Sequence, residues 1–219
     1  MCIRDRLGPQ HVHVATSYDN LADIYKQLGD LKQAKEYKQR ALKIKLDKLG
    51  PGHVDVATSY NNLALIYKNL GDLEQAKEYQ QRALKIKLDK LGPKHVHVGT
   101  GYNNLASIYQ DLGDLEQAKE YQQRALNITL DKLGPEHLDV ATSYNNLANI
   151  YNHLGDLKQA KEYQQRALKI KVDKLGPEHV KVATTYNNLA DIYKHLGDLE
   201  QAKEYQQRAV KIKLDKLGS

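Results

Sequence analysis

Residues Leu49–Lys90 read LGPGHVDVATSYNNLALIYKNLGDLEQAKEYQQRALKIKLDK, and the placement of apolar residues in this stretch decides the fold. Val56, Tyr60, Leu63, Ala64, Tyr67 and Leu70 fall three and four apart, which predicts one apolar face of a helix. Gly71 supplies the left-handed residue that ends it. Asp72 is a good N-cap for a second helix, and Gln75 three residues on completes a variant capping box. Leu73, Ala76, Tyr79, Ala83 and Ile86 form the second stripe. It runs out near Leu91, where Gly92-Pro93 stops it. Strand-type alternation is absent, so the stretch predicts a helix–turn–helix.

The same stretch recurs. Leu-Gly-Pro stands at Leu7, Leu49, Leu91, Leu133 and Leu175, 42 residues apart each time. The expected units are residues 7–48, 49–90, 91–132, 133–174 and 175–216, with 217–219 opening a sixth. Ten helices are expected, an all-α array. One helix pair cannot bury both faces alone, so neighbouring units must cover it. Ala64, Ala76 and Ala83, repeated in each unit, mark where helix backbones come close.

Composition narrows the function. The net charge is +6, yet the five units carry +3, +1, −1, +1 and +1, with lysines interleaved among carboxylates. Phosphate tracks need clustered cations, so the charge reads as a solvated face and no nucleic-acid partner is expected. No apolar run approaches the roughly 20 residues of a membrane span. The one cysteine excludes an internal disulfide and a cysteine metal cage. A reducing, cytoplasmic setting suits the chain.

Leu63-Ala64-x-x-Tyr67, then Gly71, Ala76 and Ala83, resembles the tetratricopeptide-repeat signature. The 42-residue spacing, the NNLA segment and GPxHVxVAT most resemble the repeats of kinesin light chains and related proteins. Two positions depart from that pattern. Gln80 stands where the family has an aromatic, and Val54 where kinesin light chains have proline. The resemblance implies a right-handed superhelical solenoid of antiparallel helix pairs, whose first helices line a concave groove that binds an extended peptide.

Comparison among the five copies locates candidate groove residues. The second helix, LxQAKEYxQRA, barely changes. The first helix varies at Asp23, Leu65, Ser107, Asn149 and Asp191. Three residues on it varies at Lys26, Lys68, Gln110, Asn152 and Lys194, and next to these at Gln27, Asn69, Asp111, His153 and His195. Offsets of zero, three and four share one helical face. Asn20, Asn62, Asn104, Asn146 and Asn188 recur just ahead of them. An amide both donates and accepts, so these could grip a partner's backbone whatever its side chains; equally, they could bond a neighbouring helix. Lys26, Lys68 and Lys194 would favour acidic residues in the partner.

Catalytic and metal chemistry find no constellation. His11-Val12-His13 and His95-Val96-His97 look metal-like, but His53, His137 and His179 show the first histidine to be a repeat feature, expected to bond backbone at a helix start. No carboxylate or thiol set accompanies them. His153 and His195 lack a nucleophile or substrate clamp. Leu-Gly-Pro and Leu-Gly-Asp are helix punctuation, and the fifteen tyrosines, three per unit, belong to the apolar stripes. The expectation is therefore a protein-interaction scaffold with no cofactor, no metal and no enzyme activity. The alternatives are an architectural spacer, an end-to-end self-associating array, and a regulatory region of a larger ATPase or other enzyme. Met1–Arg6 (MCIRDR) fits no repeat position. One back-translation, ATG TGT ATA AGA GAC AGR, resembles a sequencing-library transposase adapter, so residues 1–6 are expected to be a non-native leader on a fragment of a longer array.

Overall fold

A computed structural model describes residues 12–217. The expected leader (residues 1–6), His11 and the last two residues of the expected sixth unit lie outside them. Among the described residues the secondary structure is helix and short turns only. The helices are α1 (Val12–Gln27), α2 (Leu31–Leu49), α3 (Val54–Asn69), α4 (Leu73–Leu91), α5 (Val96–Asp111), α6 (Leu115–Leu133), α7 (Leu138–Leu154), α8 (Leu157–Leu175), α9 (Val180–His195) and α10 (Leu199–Leu217). They form two compact units, one ending at Leu112 and the other beginning at Gly113.

The turns follow from local chemistry. Gly71 takes φ +82°, the left-handed conformation that side chains disfavour. Asp72 Oδ1 then accepts from the backbone N–H of Gln75 at 3.2 Å, capping α4. The helices α3, α5, α7 and α9 are capped by histidine. His53 Nδ1 accepts from Asp55 N at 3.1 Å, and His95, His137 and His179 repeat the contact at the same distance. The paired histidines of the sequence are thus a cap followed by a variable position.

In the first unit each helix packs on the next, α1 through α5. Leu42, Val56, Tyr60, Leu63, Tyr67, Ala76, Ala83 and Ile108 form its main core. In the second unit α6 through α10 pack in the same sequential way, around Leu126, Val140, Ala141, Leu147, Ala167 and Ile170, with a further cluster that includes Val182, Tyr186 and Ala209. The expected stripes differ at their margins. Leu70 sits at the end of α3 and is partly exposed, and Leu73 at the start of α4 is half-buried.

The tyrosines do pack between helices. Tyr79 stacks on Tyr67 with ring centres 5.3 Å apart and tilts against Tyr60 at 5.7 Å. Tyr163 meets Tyr151 and Tyr144 in the same way. Arg82 lies over both Tyr60 and Tyr79, a cation–π arrangement. Between pairs, Lys35 and Lys77 lie over Tyr67 and Tyr109, and Gln39 Nε2 donates to the Tyr67 hydroxyl at 3.0 Å. These contacts explain why LxQAKEYxQRA barely changes: its Lys, Tyr, Gln and Arg each hold a partner.

Candidate functional site

The candidate residues occupy the first helix of each pair. On α1, Asn20, Asp23, Lys26 and Gln27 are all exposed. On α3, Asn62, Leu65 and Lys68 are half-buried and Asn69 is exposed; on α5, Asn104, Ser107 and Gln110 are half-buried and Asp111 is exposed. In the second unit, Asn146, Asn149 and Asn152 of α7 are half-buried and His153 is exposed. Asn188 of α9 is half-buried, whereas Asp191, Lys194 and His195 are exposed.

Several of these side chains meet one another across successive first helices. Lys68 Nζ donates to Ser107 Oγ at 2.5 Å and pairs with Asp111 at 3.1 Å. In the second unit Asn152 Nδ2 donates to Asp191 Oδ2 at 3.3 Å, and Asn152 Oδ1 lies 3.0 Å from His195 Nδ1. One rule covers both: the residue three after the variable position reaches two candidate positions on the next first helix. The charge of Lys68 is therefore largely met within the face. Lys26 and Lys194 have no ion pair among the described residues.

The repeated asparagines divide between two roles. Asn104 Nδ2 donates to Asn61 Oδ1 at 2.8 Å, and Asn188 Nδ2 to Asn145 Oδ1 at 2.9 Å. Each such asparagine thus spends a donor on the preceding first helix. The side chains of Asn20 and Asn62 make no hydrogen bond among the described residues.

Behind this face lies a polar seam that the sequence did not disclose. Gln80, Gln122 and Gln164, at the place of the family aromatic, are essentially inaccessible. Gln80 Nε2 donates to Gly101 O at 3.3 Å and Gln164 Nε2 to Asn145 Oδ1 at 3.0 Å. In the first pair the place belongs to Lys38, 3% exposed, which pairs with Asp19 at 3.2 Å and Asp23 at 2.9 Å. Two turns further along the second helix, seven residues on, stand Lys45, Lys87 and Lys171. Lys45 Nζ donates to Asp19 at 2.7 Å and to Ser59 Oγ at 3.0 Å, and Lys171 Nζ to Thr185 Oγ1 at 2.7 Å. Lys87 and Lys171 are 7% and 8% exposed. Burial pushes both ammonium groups below the usual lysine range, with Lys181 adding to the effect on Lys171. The even interleaving of lysine with carboxylate suggests solvated charge; these lysines correct it. Their one sequence signal is that Asp19 and Lys38 depart together from the Asn and Gln of the other copies.

One tetratricopeptide-repeat model matches residues 2–47, 97–171 and 139–215, and a second matches 56–97. The chain belongs to the tetratricopeptide-repeat family. Solved structures refine the type of array. BtubC (BKLC) from P. vanneervenii is 28% identical with a TM-score of 0.83, over 95% of this chain and 83% of that one. A kinesin-light-chain-type protein of Podosopora anserina with nearly identical TPR-like repeats is 25% identical, with a TM-score of 0.83 over 95% of this chain and 99% of that one. MamA, at 19% identity and a TM-score of 0.63 over 90% and 97%, shares the fold. No curated protein sequence matches the chain. The tetratricopeptide array is of the kinesin-light-chain-like type, a scaffold fold for protein–protein interaction. No helix among the described residues is long and apolar enough to cross a membrane.

Proposed function

We propose that the chain is a non-enzymatic interaction scaffold of a reducing, cytoplasmic interior, and that an extended segment of a partner protein lies across its first helices. In the first unit the segment would cross α1, α3 and α5; in the second, α7 and α9. The observation that supports this is the division of labour within each pair. Second-helix side chains are committed to neighbours, while the first helices keep a line of partly exposed amides and charges. Asn20 and Asn62 retain both amide functions for a peptide backbone. Lys26 and Lys194 would draw acidic partner residues, whereas Lys68 is already answered by Asp111.

The test separates gripping from stacking. Peptides captured on an array would be titrated against the whole chain by fluorescence anisotropy. Asn62→Ala is expected to weaken binding about fivefold, the equivalent of about 1 kcal/mol for one hydrogen bond, without moving the melting temperature. Asn104→Ala, which also breaks the bond to Asn61, is expected to lower both affinity and melting temperature. Unchanged affinity in Asn62→Ala would defeat the peptide-gripping role.

A further inference from the structure

The second helices differ in one contact that their near-identical sequences hide. In the three that open Leu-Glu-Gln, an arginine pairs with the glutamate one turn before it: Arg82 with Glu78, Arg124 with Glu120 and Arg208 with Glu204. The two that open Leu-Lys-Gln, α2 and α8, lack the pair, and Arg40 and Arg166 have no ion pair among the described residues. Lys158 stands one turn before Glu162 and competes for it. In α4, by contrast, Glu74 takes Lys77 and leaves Glu78 to the arginine.

Arg166 opens onto a cleft of about 320 Å³ between α8, α7 and the turn before α7. Tyr144 and the nearly buried Ile170 form its apolar wall. The guanidinium lies over the Tyr144 and Tyr163 rings, 5.9 and 5.7 Å from their centres, and has no hydrogen-bond acceptor among the described residues. Lys169 has no ion pair there either, and Glu136 holds Lys174 only at 3.6 Å. With Asp173 also at the rim, three cations meet two carboxylates, so the cleft carries a single net positive charge. The α3–α4 pair lacks this arrangement. There Gly52 replaces Glu136, Arg82 is held by Glu78, and the Lys90 stem lies along the turn, its Cε 3.7 Å from where a Gly52 β-carbon would stand.

We propose that this cleft binds a small monocarboxylate with a flat apolar body, its carboxylate on the Arg166 guanidinium and its body against Tyr144 and Ile170. The planar fork of a guanidinium matches a carboxylate in bidentate fashion, and Lys169 and Lys174 add positive charge beside it. The volume, at the small end of ligand sites, leaves room for one aromatic ring and its carboxylate. The two rim carboxylates disfavour a more highly charged anion. None of these residues belongs to the first-helix candidate face, so the site goes beyond peptide binding and does not rest on it.

Benzoate is the probe, titrated into the whole chain at constant ionic strength and followed by NMR at the Arg166 Nε–H and the Tyr144 ring. Both signals are expected to shift along one saturable curve in the millimolar range. Benzyl alcohol, which lacks the charge, should bind about tenfold more weakly, and inorganic phosphate, which lacks the ring, no better than the alcohol. Arg166→Gln should remove binding. Lys158→Glu lies outside the cleft and restores the Leu-Glu-Gln opening, so Glu162 should pair with Arg166 and weaken benzoate about threefold, with an unchanged helical signal by circular dichroism. Benzoate that fails to saturate, or phosphate that binds as tightly, overturns the proposal. So does undiminished benzoate affinity in either variant, since the freed guanidinium would then not be what receives the carboxylate. Asn62→Ala, which tests the peptide face, should leave these shifts as they are.

Discussion

The α2–α3 and α4–α5 junctions place a lysine at the same point of the second helix and treat it in opposite ways. Lys45 donates to the Asp19 carboxylate and to the Ser59 hydroxyl. Lys87 faces a first helix in which Gly101 stands where Ser59 does, and it has neither an ion pair nor a hydrogen bond among the described residues. Lys171 lies between these extremes, with one hydroxyl from Thr185. The α6–α7 junction avoids the problem altogether, because Thr129 replaces the lysine and bonds its own helix at Ala125 O, 2.8 Å away. A buried cation in this seam is thus tolerated through its partners, and its contribution changes sign with them.

Removing a partner where two lysines depend on it should have the largest effect. Asp19 is shared by Lys38, nearly inaccessible, and Lys45, half-buried. Asp19→Ala leaves one buried and one half-buried cation with fewer acceptors, which is expected to lower stability by about 3–5 kcal/mol in urea unfolding. A loss below 1 kcal/mol would mean that water reaches these lysines and that the two junctions hardly differ. Asp19→Asn, which restores the residue of the other copies, should recover part of the loss only when combined with Lys38→Gln.

The second test exchanges the lysine for an unbranched apolar side chain at each junction. Lys171→Met forfeits a charge-assisted bond to Thr185 and is expected to cost about 1–2 kcal/mol. Lys87→Met removes an unanswered charge and is expected to stabilise by about 1 kcal/mol. Opposite signs in thermal melts support the contrast. Equal losses would show that the lysine stems, packed along the seam, matter more than the ammonium groups.

The helices and caps were legible because they are set by neighbours in sequence. Gly71, the Asp72 cap on Gln75 N–H and the histidines ahead of α3, α5, α7 and α9 act within one turn of chain, and the apolar stripes follow from spacing alone. The other half of the expected box does not form, because Gln75 Nε2 donates to Glu78 instead. The seam was not legible, because Lys87 is buried by a helix that begins nine residues later rather than by its own. A lysine between Ile86 and Leu88 reads as solvated until the next pair is in place. The candidate face was half legible: the offsets put Lys68, Ser107 and Asp111 on one face, but not that they bond one another. The seam leaves one mark in the sequence, where Asp19 and Lys38 change together.

Gly101→Ser brings the two junctions closer with a smaller effect. Serine removes a glycine from the interior of α5 and offers Lys87 a hydroxyl, contributions of about 0.5 and about 1 kcal/mol. Against them, a β-carbon at residue 101 would come within 3.0 Å of Leu84 Cδ1, so that side chain must shift. The expected net gain is about 0.5–1 kcal/mol. In the Gly101→Ser background, Lys87→Met should lose its benefit, a coupling that a double-mutant cycle reads directly.

The smallest effect is a pH dependence, and it isolates charge from packing. Burial lowers the Lys87 pKa, so below that value the folded state holds a proton at a cost the unfolded chain does not bear. As pH rises through the folded value toward about 10.4, where the unfolded lysine also titrates, the folded state sheds the proton first and the penalty fades. Burial and neighbouring tyrosines raise Tyr67, Tyr163 and Tyr205, which oppose this trend above about pH 10, since the unfolded chain ionises more readily there. Those tyrosines are common to parent and variant and cancel in the difference. The advantage of Lys87→Met over the parent should therefore be full near neutrality and shrink as pH approaches about 10.4. A difference that stays flat across that range would assign the gain to the shape of methionine, and the α4–α5 junction would then owe nothing to an unpaired charge.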